Sequence, residues 1–316
     1  MGVKVIRRKC YMEKKFPKVS VIMPCYNDGL YIQEAIESVL QQTYKNLELI
    51  VVNDGSDDED TINILKDIDD ERVTVLHTEN LKPARARNYG ISIASGAYIL
   101  PVDSDDRIDA TYVEKAVMVL HNNPNVGVVY CEADLFGEQN GKWDLPLYSF
   151  ETMLLDNIVF VTAMFSKHDW ESVGGFNTYM DSGMEDYDFW LSLLAIGKEI
   201  FQIPETLFHY RIKTVSRTTQ FMDNSMQVKE IYRRIYDNHE EFYQKHAKEY
   251  AKILRDALIE QTFLKRKYEF ELAKIQEEQK IKKSNILKSH IKKILLIFKK
   301  NINKFSLSSK KRMDRS

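Results

Sequence analysis

Between Val19 and Cys131, short apolar runs alternate with amphipathic stretches, and few folds accommodate that alternation. Val19–Met23, Leu47–Val52, Val73–His77, Tyr98–Val102 and Val126–Cys131 read as strands. Helical patterns lie between them. One starts at Asp28 or Gly29 with Ile32, Ala35, Ile36 and Val39 on one face; others run from Asp58 to about Ile68, Pro83–Ser95 and Ala110–Asn122. Pro83 suits a first helical turn, where a missing N–H does no harm. A β-α-β-α-β-α-β-α-β order implies an α/β fold, a mainly parallel sheet with helices on both faces and right-handed crossovers. Ligands of such sheets sit beyond the carboxyl ends of the strands. Three polar runs fall there: Pro24-Cys-Tyr-Asn27, Asn53-Asp-Gly-Ser56 and Asp103-Ser-Asp-Asp106.

The third run carries the strongest chemistry. The apolar strand from Tyr98 ends in Asp103, Asp105 and Asp106, and Asp109 follows. Carboxylates this close repel one another unless protons, cations or solvent offset the charge. Hard oxygen ligands at such spacing suit Mg²⁺ or Mn²⁺. The alternative is a solvated acidic turn with Asp109 as a helix N-cap.

Residues 134–220 are less regular. Trp143–Phe150 reads as loop, Ile158–Ser166 as a strand, Lys167–Val173 as a short helix and Gly174-Gly175-Phe176 as a tight turn. Glu185–Ile196 is an amphipathic helix and Glu199–Ile203 another strand. From about Gln220 onward the pattern is helical and charged. Of 316 residues, the stretch Gln279–Ser316 holds thirteen Lys/Arg against one acid, Asp314, although the net charge of the whole chain is −2. An acidic body with a basic tail implies two tasks. In the tail, Leu287, Ile291, Leu295, Phe298, Ile302 and Phe305 form a helical stripe among lysines, as a helix lying on an anionic membrane surface does. A helix docked on the acidic body, a dimer contact and nucleic-acid binding are the other readings. Cys10, Cys25 and Cys131 are too few and scattered for a disulfide framework or thiolate metal site, which points to a reducing compartment. The basic N-terminus lacks a following apolar core, so no signal peptide is expected, and Ile294–Phe298 is far short of a membrane span.

Taken in order, Val19-Ser-Val-Ile-Met-Pro-Cys-Tyr-Asn27, Val52-Asn-Asp-Gly-Ser-Asp-Asp58, Asn80 with Ala86-Arg-Asn88, Asp103-Ser-Asp-Asp106, Gly174-Gly-Phe176, Glu185-Asp-Tyr-Asp188 with Trp190, and His209-Tyr-Arg211 resemble the inverting nucleotide-sugar glycosyltransferases of family 2. The resemblance covers roughly residues 17–220. It implies the GT-A fold, Rossmann-like, and a division of labour. Asp103-Ser104-Asp105 looks like the Asp-x-Asp motif, with Asp105 the main ligand of Mn²⁺ or Mg²⁺, Asp103 nearer the ribose or the metal's water, and His209 completing the metal site. Asp54 would accept a hydrogen bond from the base, with Pro24 and Tyr26 lining that pocket. Asn80, Arg87 and Arg211 would face the donor, the arginines its phosphate or ribose oxygens. Gly175 and Glu185 would lie on the acceptor side. Asp186 would be the general base that deprotonates the acceptor hydroxyl. One departure stands out: the usual Gly two residues after Asn80 is Lys82.

The expected function is therefore transfer, with inversion, of a sugar from a nucleotide donor, most plausibly a UDP-sugar, to a glycan or lipid-linked saccharide. The expected place is the cytoplasm, peripheral to the inner face of the membrane, with no nucleic-acid partner. A basic arm (1–16), a GT-A domain (17–220) and a helical extension (221–316, amphipathic over about 280–305) are the expected units. A nucleotidyltransferase releasing pyrophosphate, or a non-catalytic scaffold that binds glycan or nucleotide-sugar, are the alternatives.

Overall fold

The computed structural model describes residues 17–214, 224–281 and 294–296. The N-terminal arm and most of the basic tail read from the sequence lie outside the described residues.

The alternation folds as expected at its start. Strands β1 (Val19–Cys25), β2 (Leu47–Asn53), β3 (Val73–His77) and β4 (Tyr98–Pro101) are joined by helices α1 (Ile32–Leu40), α2 (Glu59–Lys66) and α3 (Pro83–Ile93). They pair in parallel, β2 and β4 flanking β1 and β3 outside β2. Next come β5 (Arg107–Ile108), α4 (Tyr112–Asn122), β6 (Val126–Gly137), β7 (Gly141–Lys142), α5 (Phe150–Leu155), β8 (Met164–Ser166), α6 (Lys167–Ser172), α7 (Glu185–Ala195) and β9 (Glu199–Ile212). Among the described residues the sheet has nine strands, in the order β3-β2-β1-β4-β8-β6-β9-β5, with β7 beside β6. The first half is wholly parallel, and in the second half the long β6–β9 pair is parallel too. The short β8 is antiparallel to both β4 and β6, and β5 is antiparallel to β9.

The second half departs from the sequence reading for identifiable reasons. The strand expected over Ile158–Ser166 is laddered only from Met164. Ile158 and Val159 are buried there, but Val159 gives its carbonyl to the indole N–H of Trp190 at 3.0 Å. Strands β6 and β9 run on past Cys131 and Ile203, where polar residues break the apolar pattern. Their register shifts there, so that Cys131 faces Ile203 but Glu132 faces Thr206. Pro204, which has no N–H for a ladder, falls in that shift. The helix expected at Ala110 begins at Tyr112, with Asp109 accepting from the Thr111 N–H and hydroxyl.

Both faces of the sheet are covered. Strand alternation sends Val21, Met23, Leu49, Val51 and Leu100 to α1 and α4, and Ile22, Ile50, Val52 and Ile99 to α3 and α7. Three further helices follow: α8 (Ser225–Asn238), α9 (Glu240–Lys245) and α10 (Ala247–Ile281). Ile231, Ile235, Phe242 and Tyr243 join the α3–α7 side of the core, so α8 and α9 brace the back of α7. No helix among the described residues is long and apolar enough to cross a membrane.

Phe165 on β8 locks the junction between the sheet halves, its ring meeting Phe176, Phe189 and Trp190 at centroid distances of 6.1, 4.9 and 5.9 Å. Phe165→Ala is expected to lower the unfolding free energy by about 3–5 kcal/mol, read from urea denaturation.

Candidate active site

The parallel strands end together: Cys25 lies opposite Asn53, and the Asp54 N–H donates to the Cys25 carbonyl. The acidic run after β4 emerges at the same edge, and the end of β9 crosses it. The Arg211 N–H donates to Asp106 Oδ1 at 2.8 Å, and its Nε to the Asp105 carbonyl at 2.7 Å. The sheet thus brings Asp103, Ser104, Asp105, Asp106 and Arg211 into one cluster.

Arg87 ties this cluster to α7. Only 3% exposed, its guanidinium donates to Asp103 Oδ1 and to Glu185 Oε1, both at 2.7 Å. Burial works against the charge, but Asp103 and Glu185 outweigh it and hold the group above its ordinary range. Breaking such a buried pair leaves an uncompensated charge, a cost of about 3–5 kcal/mol. Arg87 serves here as a clamp between two acids through its two terminal nitrogens, while its buried Nε has no partner.

Asp186 follows Glu185 in the first turn of α7. It is half-buried, and its Oδ1 accepts from the Tyr187 N–H at 2.8 Å. Burial, then the charge of Glu185, pushes its carboxyl up to about 6. A carboxylate tuned that close to neutrality has the properties of a general base. Behind it, Asp188 accepts from Asn238 at 2.7 Å and lies 3.2 Å from His239, so α8 and the residue after it fix the helix from the rear.

Other expected residues have partners the sequence did not suggest. Asp54 is buried, and its oxygens take the Thr78 hydroxyl (2.7 Å) and the Leu81 and Lys82 N–H groups. It holds the 78–82 loop closed. In that loop Asn80 has φ +46°, and Lys82 sits at φ +75°, ψ 158°, a region almost confined to glycine. The departure noted in the sequence is thus a lysine in glycine's conformation. Pro24 is the last residue but one of β1, and Tyr26, just beyond the strand, is 47% exposed. Gly175, expected on the acceptor side, has no room for a side chain. At φ +78°, a Cβ would lie 2.8 Å from Trp170 Nε1 and 2.9 Å from Asn88 Oδ1. Asn88 itself grips the turn through the Phe176 N–H and carbonyl. Arg211 stacks over Phe136 and Tyr31 and reaches Glu34, so it braces the acidic loop against α1.

The expected metal pair fares differently. Asp105 Oδ2 lies 2.6 Å from Lys213 Nζ. His209 Nδ1 lies 2.6 Å from Asp134 Oδ1, on β6. Among the described residues no three His, Cys, Asp or Glu side chains gather into a group able to hold a metal ion. As folded, the Lys213 ammonium stands in front of Asp105, where a Mn²⁺ or Mg²⁺ ion would have to displace it, and the Asp134 contact leaves His209 only Nε2 for a ligand. Lys213 also contacts Asp28 Oδ1 at 3.2 Å, and Asp28 Oδ2 accepts from the Ser104 hydroxyl at 2.6 Å. Neither Asp28 nor Lys213 stood out in the sequence. Strand alternation is the signal that finds Lys213: it continues the every-second-residue series of Arg211 and His209, two and four residues back.

Fold and edge together define a domain of the GT-A fold. Crystal structures of S. aureus TarS residues 1–349 share the fold. The complex with UDP-GlcNAc has a TM-score of 0.55 at 17% identity, over 76% of this chain and 80% of that one. The complex with UDP has 0.53 at 20%, over 65% and 63%. Residues 20–170 match the model of glycosyl transferase family 2, and the chain belongs to that family. An uncharacterized glycosyltransferase of Haemophilus influenzae is 31% identical over 218 residues, 62% of this chain and 66% of that protein. The chondroitin synthase of Pasteurella multocida is 31% identical over 193 residues, 58% of this chain. The chain spans just under two thirds of the first relative and only 20% of the second.

Lys82→Gly relieves the strained turn while keeping the N–H that Asp54 accepts. It is expected to raise the unfolding free energy by about 1 kcal/mol, the strain released less the added freedom of the unfolded chain, measured by urea denaturation.

Proposed function

We propose that this domain transfers a sugar from a nucleotide-sugar donor, a UDP-sugar in the first instance, to a hydroxyl of a growing glycan, with inversion at the anomeric carbon. The observation that carries the reading is the Arg87 clamp. It joins the acidic loop at the sheet edge to the helix start that bears Asp186, a carboxylate raised to about 6. Two kinds of acid are thereby joined at one edge: a cluster able to accept hydrogen bonds from a donor's hydroxyls, and a single base. Family membership supports the transferase class. The UDP and UDP-GlcNAc complexes of TarS, and the hyaluronan and chondroitin synthases of Pasteurella multocida among the relatives, support a uridine donor and a polysaccharide product.

In this mechanism the acceptor hydroxyl donates its proton to Asp186 as its oxygen attacks the anomeric carbon. The bond from that carbon to the diphosphate oxygen breaks on the opposite face, and its electron pair leaves with the nucleoside diphosphate. A carboxylate suffices because the hydroxyl proton becomes acidic only as the new bond forms. One in-line displacement inverts the configuration. Asp103 and Ser104 orient the donor, and Asp54, through the loop it closes, shapes the base end with Tyr26.

Nucleoside diphosphate release from a panel of nucleotide sugars tests the reading. Release from one UDP-sugar is expected; pyrophosphate release from a nucleoside triphosphate would replace it with nucleotidyl transfer. Asp186→Asn is expected to lower turnover by at least about 10³-fold with donor binding nearly unchanged. Because Asp186 works only when ionised, kcat should fall about tenfold per pH unit below 6 and level off above it.

A further inference from the structure

The cation that matters most at this edge belongs to the chain itself. Lys213 follows the end of β9, and its side chain runs past the Tyr31 ring, with Nζ 5.4 Å from the ring centroid, to end between Asp105 and Asp28. These carboxylates come from opposite sides of the site: Asp105 from the loop after β4, Asp28 from the turn before α1. Each has a second tie. Asp28 accepts from Ser104, and the backbone at Asp105 accepts from Arg211. The lysine is therefore held at both ends of its reach rather than lying loose on the surface.

An ammonium has three N–H groups, and two are accounted for by Asp105 and Asp28. The side chain is 25% exposed, so the third can face solvent or a bound anion. A divalent ion bound through Asp105 would compete with the contact Lys213 already makes there, and among the described residues no group of three ligating side chains gathers to outbid the lysine. A departing diphosphate still requires positive charge where its negative charge grows. We propose that the Lys213 ammonium supplies that charge, so that donor binding and transfer here do not depend on a divalent metal. The lysine stays protonated throughout: the carbon–oxygen bond to the diphosphate breaks, the electron pair goes to the phosphate oxygen, and the ammonium meets that oxygen as a hydrogen-bond donor. Asp105 and Asp28 act as positioning residues, aiming the ammonium.

The proposal rests on the nucleotide-sugar reading, and titration calorimetry with UDP on the full chain separates the two. The wild type is measured in excess chelator and in millimolar Mn²⁺; Lys213→Met and Lys213→Arg are measured in chelator, with thermal melts to establish that each is folded. The expected result is wild-type affinity equal within about twofold in the two media, a loss of about tenfold or more for Lys213→Met, and partial recovery in Lys213→Arg, in line with the strength of a charge-assisted hydrogen bond. Wild-type binding at least tenfold tighter with Mn²⁺ would overturn the proposal and leave the nucleotide-sugar reading standing, since Lys213 would then be a plug that metal displaces. Folded Lys213→Met binding like the wild type in chelator would also overturn it. No UDP binding in either medium would overturn the UDP reading and the proposal together.

Discussion

The buried guanidinium of Arg87 is the interaction on which the site depends. It lies in the apolar interior beneath the sheet edge, and its two carboxylate partners come from segments far apart in the chain. Asp103 follows the central parallel strands. Glu185 opens a helix that belongs to the second, mixed half of the fold. Because a buried charge is tolerated only when well paired, the chain can bury Arg87 only by bringing those segments together. Asp186 comes into position as a consequence, being the next residue after Glu185.

Around this clamp the edge is built from charges that satisfy one another. Arg211 fastens the acidic loop to α1 through Glu34 and to the Asp105 backbone. Lys213 joins Asp105 to Asp28. Asp106, fully enclosed and beside Asp105 and Asp103, has its carboxyl driven well up by burial and then by those charges. Most of the acids of the run are thus offset in the folded state, as their spacing demanded. The offset comes from the protein's own cations, with the metal ligands expected from the family pattern engaged in other contacts.

How much of this was legible beforehand follows from the range of the forces involved. The parallel core was readable because β1, β2 and β4 are buried on both faces and so are nearly continuously apolar, and because Asp58, Pro83 and Gly55 mark the turns between elements. The strand-end position of Asp103–Asp106 and the helix-start position of Asp186 followed from that pattern. The mixed half was harder: β8 is three residues long, and β6 and β9 are extended by pairing with each other through a register shift, not by their own composition. Side-chain partners across 98 residues, as for Arg87 and Glu185, or 185, as for Lys213 and Asp28, leave no local trace. Hence Arg87 and Arg211, read as donor ligands, are found also to brace the protein's own acids, and Gly175, read as acceptor-side, sits where Trp170 and Asn88 leave no space for a side chain. The alternation His209, Arg211, Lys213 was visible, but only to a reading that continued the strand past Arg211.

The most direct test is the turnover of Arg87→Lys on the donor that the wild type accepts. Lysine keeps the charge but presents a single point donor, which cannot span Asp103 and Glu185 in the forked geometry of a guanidinium. If the clamp sets the acidic loop and Asp186 in register, kcat at saturating donor and acceptor should fall by about 100-fold or more in a protein that still melts cooperatively, since small misplacements of reacting groups cost on that scale. Turnover equal to that of the wild type would contradict the clamp, and with it the account of how this edge is assembled.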